Sequence, residues 1–459
     1  MRRTLVAVVF VAVAGVVGAL AYSALANERE YERLIASGDQ ALADRQFQAI
    51  EAYSGAIALK PDSMLAHLKR GAVYQAQGEL EAALRDLRRA VEIDPGALLP
   101  IELLGDVNVA LGRPERAIER YEAYIGLDER NARVHYKLGL SRYRAGRIDL
   151  AAAALQQALK LDPALGVAHY VLGLVHRDQG KLPAARRSLE EAARRSPASQ
   201  TEAREALAEV YGLEGEHGKA INELEALAAL DVSRADRSVA VGLAQARAGR
   251  EDAAVLTLGR AVERFPEAPQ AYAALGHVWL TSAQRRGDRV ALNKAVEALQ
   301  QAAGRSDASS DTFAELGRAW WLAGDMPAAE RALRQAVARV PVPPDAYLQL
   351  ADVTIRDGRI QDGRDALVKY ATLVGDDKPL GDVDARIGDL SMRLGEPVLA
   401  ARWFARAIEE SGPSTSLQLR LAEAVWKSGD TARAHQVLDE ALAADPANRL
   451  LTQMKRRLP

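Results

Sequence analysis

Residues 71–95 read GAVYQAQGELEAALRDLRRAVEIDP, and the pattern of this stretch recurs along the chain. It opens with a glycine, carries a second glycine seven residues later, and ends with Asp-Pro. Both glycines return every 34 residues, at Gly71, Gly105, Gly139 and Gly173, and at Gly78, Gly112, Gly146 and Gly180. After short slips the register continues at Ala208, Gly242, Gly276, Gly317, Ala351, Gly388 and Ala422. A fixed period of this length predicts an array of about twelve small structural repeats.

Each repeat has the sequence pattern of a helical hairpin. Apolar residues surround the first glycine with helical spacing, and the second glycine lies where a turn between two helices is expected. The second half places Ala151, Leu155 and Ala158 on one helical face, and Pro163 then ends the helix. Small residues at these places allow two helix axes to approach closely. We therefore predict an all-α fold in which each hairpin buries its apolar face against its neighbours.

Composition narrows the function classes. The chain has 459 residues, with 60 basic and 62 acidic side chains and a net charge of −2, so no global field favours nucleic acid as a partner. Cysteine is absent, which excludes disulfides, thiolate zinc sites and cysteine nucleophiles.

The N-terminal segment predicts export. Residues 4–26 carry no charge, follow Arg2 and Arg3, and would form a helix of roughly 34 Å, enough to cross a hydrocarbon core of about 30 Å. The positive-inside rule then places the repeats outside the cytoplasm. Residues 1–29 are predicted to be a transmembrane signal anchor, giving a single-pass inner-membrane protein with periplasmic or other extracytoplasmic repeats. The alternative is a signal peptide cleaved after Ala26, giving a soluble periplasmic protein.

The repeat resembles the tetratricopeptide repeat family over nearly all of residues 30–446. The family pattern is matched by Leu138, Gly139, Gly146, Ala151, Leu155, Ala158 and Pro163. The tryptophan that the family carries near the start of the first helix is replaced by His67, His135 and His169. The resemblance implies a right-handed α-solenoid of about twelve hairpins, here preceded by one N-terminal hydrophobic helix. Residues 447–459 are expected to form a capping helix.

One repeat is longer than the others, because about seven extra residues lie within residues 280–294. Insertions in repeat arrays often lie on the working face. The two interpretations of this insertion are a contact loop and a surface turn without a role.

No motif indicates catalysis. The chain contains no glycine-rich phosphate loop, no Ser-His-Asp order and no HExxH motif that stands out from the repeats. His135 and His169 occupy the same repeat position, but stacked hairpins would hold them about 10 Å apart, too far to share one zinc ion. We expect a non-enzymatic protein with no cofactor and no metal.

The candidate binding residues lie on the first helices, which line the groove in proteins that this array resembles. Tyrosine and arginine often anchor bound partners, and they cluster at Arg133, Tyr136, Tyr143, Arg144, Tyr170 and Arg177. Arg318 and Trp321 form a second candidate pair. Partly buried aromatic residues with a packing role are the alternative interpretation. Acidic residues alternate with these positions along the groove, so a partner with matching charges is expected.

The leading functional prediction is a membrane-tethered scaffold that binds a partner protein in the groove, with envelope or exopolysaccharide assembly as one pathway. The alternative is a glycan-binding protein or an accessory subunit of a polysaccharide-synthesis enzyme, with the sugar on Tyr136, Tyr143 and Tyr170. Homo-oligomerisation is a third option. No nucleic-acid partner is expected.

Overall fold

A computed structural model of the chain describes residues 2–195, 200–375 and 379–458. The regular secondary structure of these residues is helical, with 25 α-helices and no strand, which confirms the predicted all-α fold. The chain divides into two compact units, Met1–Glu223 and Leu224–Pro459, referred to below as unit 1 and unit 2.

Unit 1 consists of a long first helix and shorter helices that pair in chain order. They are α1 (Arg2–Ala41), α2 (Gln46–Leu59), α3 (Met64–Ala76), α4 (Leu80–Ile93), α5 (Leu98–Ala110), α6 (Pro114–Leu127), α7 (Ala132–Arg144), α8 (Ile148–Leu161), α9 (Gly166–Asp178), α10 (Leu182–Arg195), α11 (Gln200–Leu213) and the start of α12 (His217–Leu230). The odd-numbered helices are the first helices of the hairpins, and the even-numbered helices are the second.

Unit 2 continues the same scheme. Its helices are α13 (Ala235–Arg247), α14 (Glu251–Arg264), α15 (Pro269–Arg286), α16 (Arg289–Ala303), α17 (Ser310–Ala323), α18 (Met326–Val337), α19 (Pro344–Arg356), α20 (Ile360–Val374), α21 (Gly381–Arg393), α22 (Pro397–Ser411), α23 (Thr415–Lys427), α24 (Thr431–Ala444) and α25 (Arg449–Arg457). The last helix packs Leu451 against the cluster that contains Val437 and Leu438.

The hairpin of α7 and α8 shows why the sequence repeats its two glycines. A Cβ atom on Gly139 would lie 2.6 Å from Cγ of Leu155, so only glycine lets the two helices approach this closely. Leu155 is fully buried between Ala151 and Ala158, which are fully buried too. Gly146 ends the turn with φ of 72°, in the left-handed region that favours glycine. The spacing of the repeat is therefore the spacing of this helix-helix contact.

Two hairpins of unit 1 use tyrosine where the others use leucine. Tyr121 lies against Gly105, and its hydroxyl donates to Asp106 Oδ1 at 2.7 Å. Lys137 of the next first helix donates to Asp106 Oδ2 at 2.7 Å. The same arrangement occurs once more, in Tyr53, Asp39 and Lys69. Each carboxylate therefore joins its own hairpin to the next first helix.

The three histidines at the start of first helices act as structural ties. In each, Nε2 lies within hydrogen-bond distance of the backbone carbonyl oxygen six residues earlier. The pairs are His67 with Pro61 at 3.1 Å, His135 with Glu129 at 2.9 Å, and His169 with Pro163 at 3.1 Å. This bond fixes the loop between one hairpin and the next.

The predicted location of the protein is wrong. Among the residues that the structure describes, no helix is both long enough and apolar enough to span a bilayer, which contradicts a single-pass inner-membrane protein. The uncharged stretch belongs to α1, a 40-residue helix that continues through the charged residues 28–33. The end of α1 is part of the array, because Gly38 lies against Tyr53 of α2 and Tyr31 shares a hydrogen bond with Ser63.

The insertion near residues 280–294 is largely helical. Its residues lengthen α15 to 18 residues, whereas α13 has 13 and α17 has 14. Gly287 ends the helix with φ of 66°, and Asp288 begins α16 by accepting a hydrogen bond from the backbone N–H of Val290. The extra sequence therefore extends a first helix by about one turn.

Candidate protein-binding surfaces

The predicted tyrosines of unit 1 come together on α7 and α9, and we call Tyr136, Tyr143 and Tyr170 the tyrosine surface. All three are half-buried and pack against the core cluster that contains Leu155 and Leu172. Burial raises the pKa of Tyr136. The tyrosine surface therefore has a packing role, whatever else it contacts.

Tyr143 is also held in place by a polar network that crosses three first helices. Its hydroxyl donates to Asp178 Oδ2 at 2.7 Å, and Arg177 Nε donates to Asp178 Oδ1 at 2.9 Å. Arg177 Nη1 donates to Glu209 on α11 at 2.7 Å. Burial, together with the hydrogen bond to Asp178, raises the pKa of Tyr143 to about 12. Of the predicted arginines here, Arg133 and Arg144 are exposed, whereas Arg177 is committed to this network.

Ion pairs between successive first helices recur along both units. In unit 1, Lys137 bridges Glu102 at 2.6 Å and Asp106 at 2.7 Å. In unit 2, Arg420 lies 2.8 Å from Asp389, and Arg386 pairs with Asp352. The sequence suggested that acidic positions of this face would meet charges on a partner. The four acidic side chains named here are already paired with a neighbouring hairpin.

A groove of about 640 Å³ lies along α15 in unit 2, between α13 and α17. Its floor is apolar and built largely from small and medium side chains, which are Val239, Leu243, Ala246, Ala273, Ala274 and Val278. Arg247 and Arg285 line it, as do Asp307 and Asp311. We call this feature the α15 groove.

A charged pair crosses the wall of the α15 groove. His277 Nδ1 lies 2.6 Å from Oε1 of Glu315 on α17. The hydrogen bond to Glu315 raises the pKa of His277, against the opposing effects of burial and of the cations Arg247 and Arg318. The hydrogen bond between His277 and Glu315 joins α15 to α17.

The extended end of α15 is held by one carboxylate, that of Glu251 at the start of α14. Arg286 Nη2 donates to Glu251 Oε2 at 2.7 Å, Ser282 Oγ donates to the same oxygen at 3.2 Å, and Arg285 donates to Oε1. The Glu251 side chain is only 12% exposed, whereas both arginines are mostly exposed. This bridge holds the additional turn of α15 at the end of the α15 groove.

The second predicted pair lies next to the α15 groove, on the same succession of first helices. Arg318 follows Glu315 by about one turn of α17, and its guanidinium faces the side-chain amide of Gln284 on α15. Trp321 is 38% exposed and lines a smaller recess of about 260 Å³ with Asp352 and Arg386.

Over the described residues, no group of three or more histidine, aspartate or glutamate side chains is arranged to hold a metal ion. The fold defines a class of protein, the all-helical repeat proteins built from stacked hairpins.

Sequence comparison identifies the repeat. Profiles described as "Tetratricopeptide repeat" match residues 64–97, 103–165, 170–240 and 315–379, and one described as "TPR repeat" matches residues 47–78. The chain belongs to the tetratricopeptide repeat family. Proteins of this family are generally protein-interaction scaffolds without catalytic activity.

Individual relatives match over part of the chain. The small glutamine-rich tetratricopeptide repeat-containing protein 2 of Saccharomyces cerevisiae is 30% identical over 102 residues, which are 22% of this chain and 30% of that protein. The protein of the same name from Mycosarcoma maydis is 33% identical over 101 residues, which are 22% of this chain and 29% of that protein. The matched region thus spans less than a third of either relative.

Solved structures are similar to parts of the chain. A tetratricopeptide repeat protein from Parabacteroides merdae has a TM-score of 0.42 and 17% identity, covering 55% of this chain and 99% of that structure. YrrB, described as a tetratricopeptide repeat protein with an unusual peptide-binding site, has a TM-score of 0.36 and 22% identity, covering 40% of this chain and 95% of that structure.

The α15 groove is the feature that sequence reasoning missed. Two signals could have indicated it. The long repeat carries Arg285 and Arg286 at its end, and Glu251 lies 34 and 35 residues earlier, the spacing of one repeat. Ala273 and Ala274 stand next to each other on a first helix where a larger side chain would have filled the space.

Proposed function

We propose that this protein is a non-catalytic scaffold that binds a segment of a partner protein in the α15 groove. The observation that carries the proposal is the groove itself, an apolar trough of about 640 Å³ with charged groups at its margins. Recognition sites of this kind combine apolar contact with a few polar groups that orient the bound segment. Membership of a family of interaction scaffolds supports the same function.

The tyrosine surface is a second contact site in this proposal. Exposed Arg133 and Arg144 flank the half-buried rings, and arginine and tyrosine are frequent anchors at interfaces. Because the rings also pack against the core, the appropriate test replaces arginines first. Arg133→Ala with Arg144→Ala should weaken partner binding without lowering the melting temperature. Unchanged binding would leave the tyrosines with packing alone.

The envelope and exopolysaccharide roles expected from the sequence stay predictions. A protein partner does not depend on a membrane location.

The test of the proposed function is site-specific photo-cross-linking in the native cell. A photoreactive amino acid at Thr281, inside the α15 groove, should cross-link to one protein, whereas the same group at exposed Leu256 of α14 should not. Ala273→Phe, which fills the groove, should abolish the cross-link. Equal products from Thr281 and Leu256, or a product that survives Ala273→Phe, would contradict binding in the groove.

A further inference from the structure

We infer that the α15 groove selects its partner by the order of charges along the bound segment. The preferred segment has a basic group at one end, small or medium apolar side chains in the middle, and an acidic group at the other end. This inference rests on the proposed function of the groove, and it adds the chemistry of the partner.

The two ends of the groove carry opposite charges because of the direction of its helices. Each first helix returns through a second helix, so α13, α15 and α17 run in the same direction. Arg247 and Arg285 lie at the C-terminal ends of α13 and α15. Asp311 lies in the first turn of α17, and Asp307 precedes that helix. One end is therefore basic and the opposite end is acidic.

The charges that face a partner are those without an internal counterion. Glu251 engages Arg285, and Glu315 engages His277, so these four groups largely compensate one another. Arg247, Asp307 and Asp311 are exposed, and none of them takes part in an ion pair within the described part of the chain. The remaining field has one positive and one negative end, and a partner with the opposite order of charges complements it.

The size of the groove limits the length of the segment. From Gln270 to Arg285, α15 contributes lining residues over roughly 22 Å, at about 1.5 Å per residue. About four helical turns, or about seven residues of extended chain, cover this distance. Ala246, Ala273 and Ala274 leave space above the floor for side chains of intermediate size.

The test identifies the preferred peptides by selection from a random library. Peptides that bind the full-length protein are selected from a display library of random peptides of about 16 residues. Peptides that also bind Ala273→Phe, in which the groove is filled, are then removed. Thr281→Phe is a second groove-filling variant in case the first fails to fold. The charge at each end of the retained peptides is then compared for wild type, Arg247→Glu and Arg260→Glu. Arg260 is an exposed residue of α14 away from the groove, so it provides the same charge change as a control.

Wild type and Arg260→Glu should retain peptides that are basic at one end and acidic at the other. Arg247→Glu should shift the selection to peptides that are basic at both ends. It should also weaken a wild-type peptide about fivefold in direct titration, because one exposed ion pair is lost. Retained peptides without charge order, or equal behaviour of Arg247→Glu and Arg260→Glu, would overturn the inference and leave the groove as a binding site. If no peptide depends on the groove, the proposed function itself fails.

Discussion

A buried carboxylate in unit 2 predicts an unusual dependence of stability on pH. The Asp384 side chain on α21 is fully buried, and neither of its oxygens has a hydrogen-bond partner. Arg406 Nε lies 3.0 Å from Oδ2, although without hydrogen-bond geometry. Burial raises the pKa of Asp384 to about 6, because the favourable effect of Arg406 does not offset desolvation and the nearby Glu410 adds repulsion.

The sign and size of the effect follow from proton linkage. The folded protein holds the proton more tightly than the unfolded chain, whose aspartate pKa is about 3.9. The protonated carboxyl therefore stabilises the fold fully below about pH 4, and this contribution is lost as pH rises through about 6. The total is roughly 3 kcal/mol, of which about 1.4 kcal/mol is lost between pH 5 and pH 8.

Asp384→Asn removes the ionisation and keeps the shape of the side chain. The free energy of opening α21 and α22 is measured by hydrogen exchange. The value for the variant minus the value for wild type should be about 1.4 kcal/mol larger at pH 8 than at pH 5. Any destabilisation by the new amide itself is the same at every pH. The test is therefore how the difference between the variant and wild type changes with pH. Asp382→Asn, at an exposed position two residues earlier, is the matched control. A difference between Asp384→Asn and wild type that stays constant with pH would refute the reasoning.

Three further changes test the packing and the groove. Gly242→Ala places a Cβ 2.5 Å from a leucine side chain and should destabilise unit 2 by about 1–3 kcal/mol in urea unfolding. Gly259→Ala meets nothing within 4 Å and should stabilise unit 2 by up to about 1 kcal/mol. Equal effects of the two changes would contradict the close contact at Gly242. By NMR titration the pKa of His277 should lie above that of an unpaired histidine, so that its stabilising contribution, below about 1 kcal/mol, is lost as pH rises through the folded-state pKa. Glu315→Gln should lower this pKa, and an unchanged titration would exclude the pair. Glu251→Gln should speed amide exchange at residues 282–286 and cost about 1 kcal/mol, and unaltered exchange would show that the bridge does not hold the helix end.

The repeat was predictable because it depends on local rules. The glycine at 139 and the leucine at 155 follow from how closely two helices of one hairpin pack, and the same requirement returns in every repeat. The α15 extension was harder to predict, because the arginines at its end are held by Glu251 of the preceding hairpin, 34 and 35 residues earlier in the sequence. The burial of Asp384 could not be read from its sequence neighbours, because Asp382 on the same helix is exposed. Features that depend on contacts between hairpins were therefore the ones that the pattern did not reveal.

The α15 groove lies where the regular array changes. Elsewhere on the first helices, ion pairs such as Lys137 with Glu102 are formed within the protein. At α15 the longer helix uses its own arginine on Glu251, and the adjacent hairpins leave Arg247 and Asp311 unpaired beside an apolar floor. A change that lengthens one helix adds surface without disturbing the hairpin contacts on which stability depends, because each repeat contacts mainly its neighbours. A repeat protein can in this way acquire a specific site at one position while the rest of the array keeps its packing, and departures from the period are where binding should be sought first.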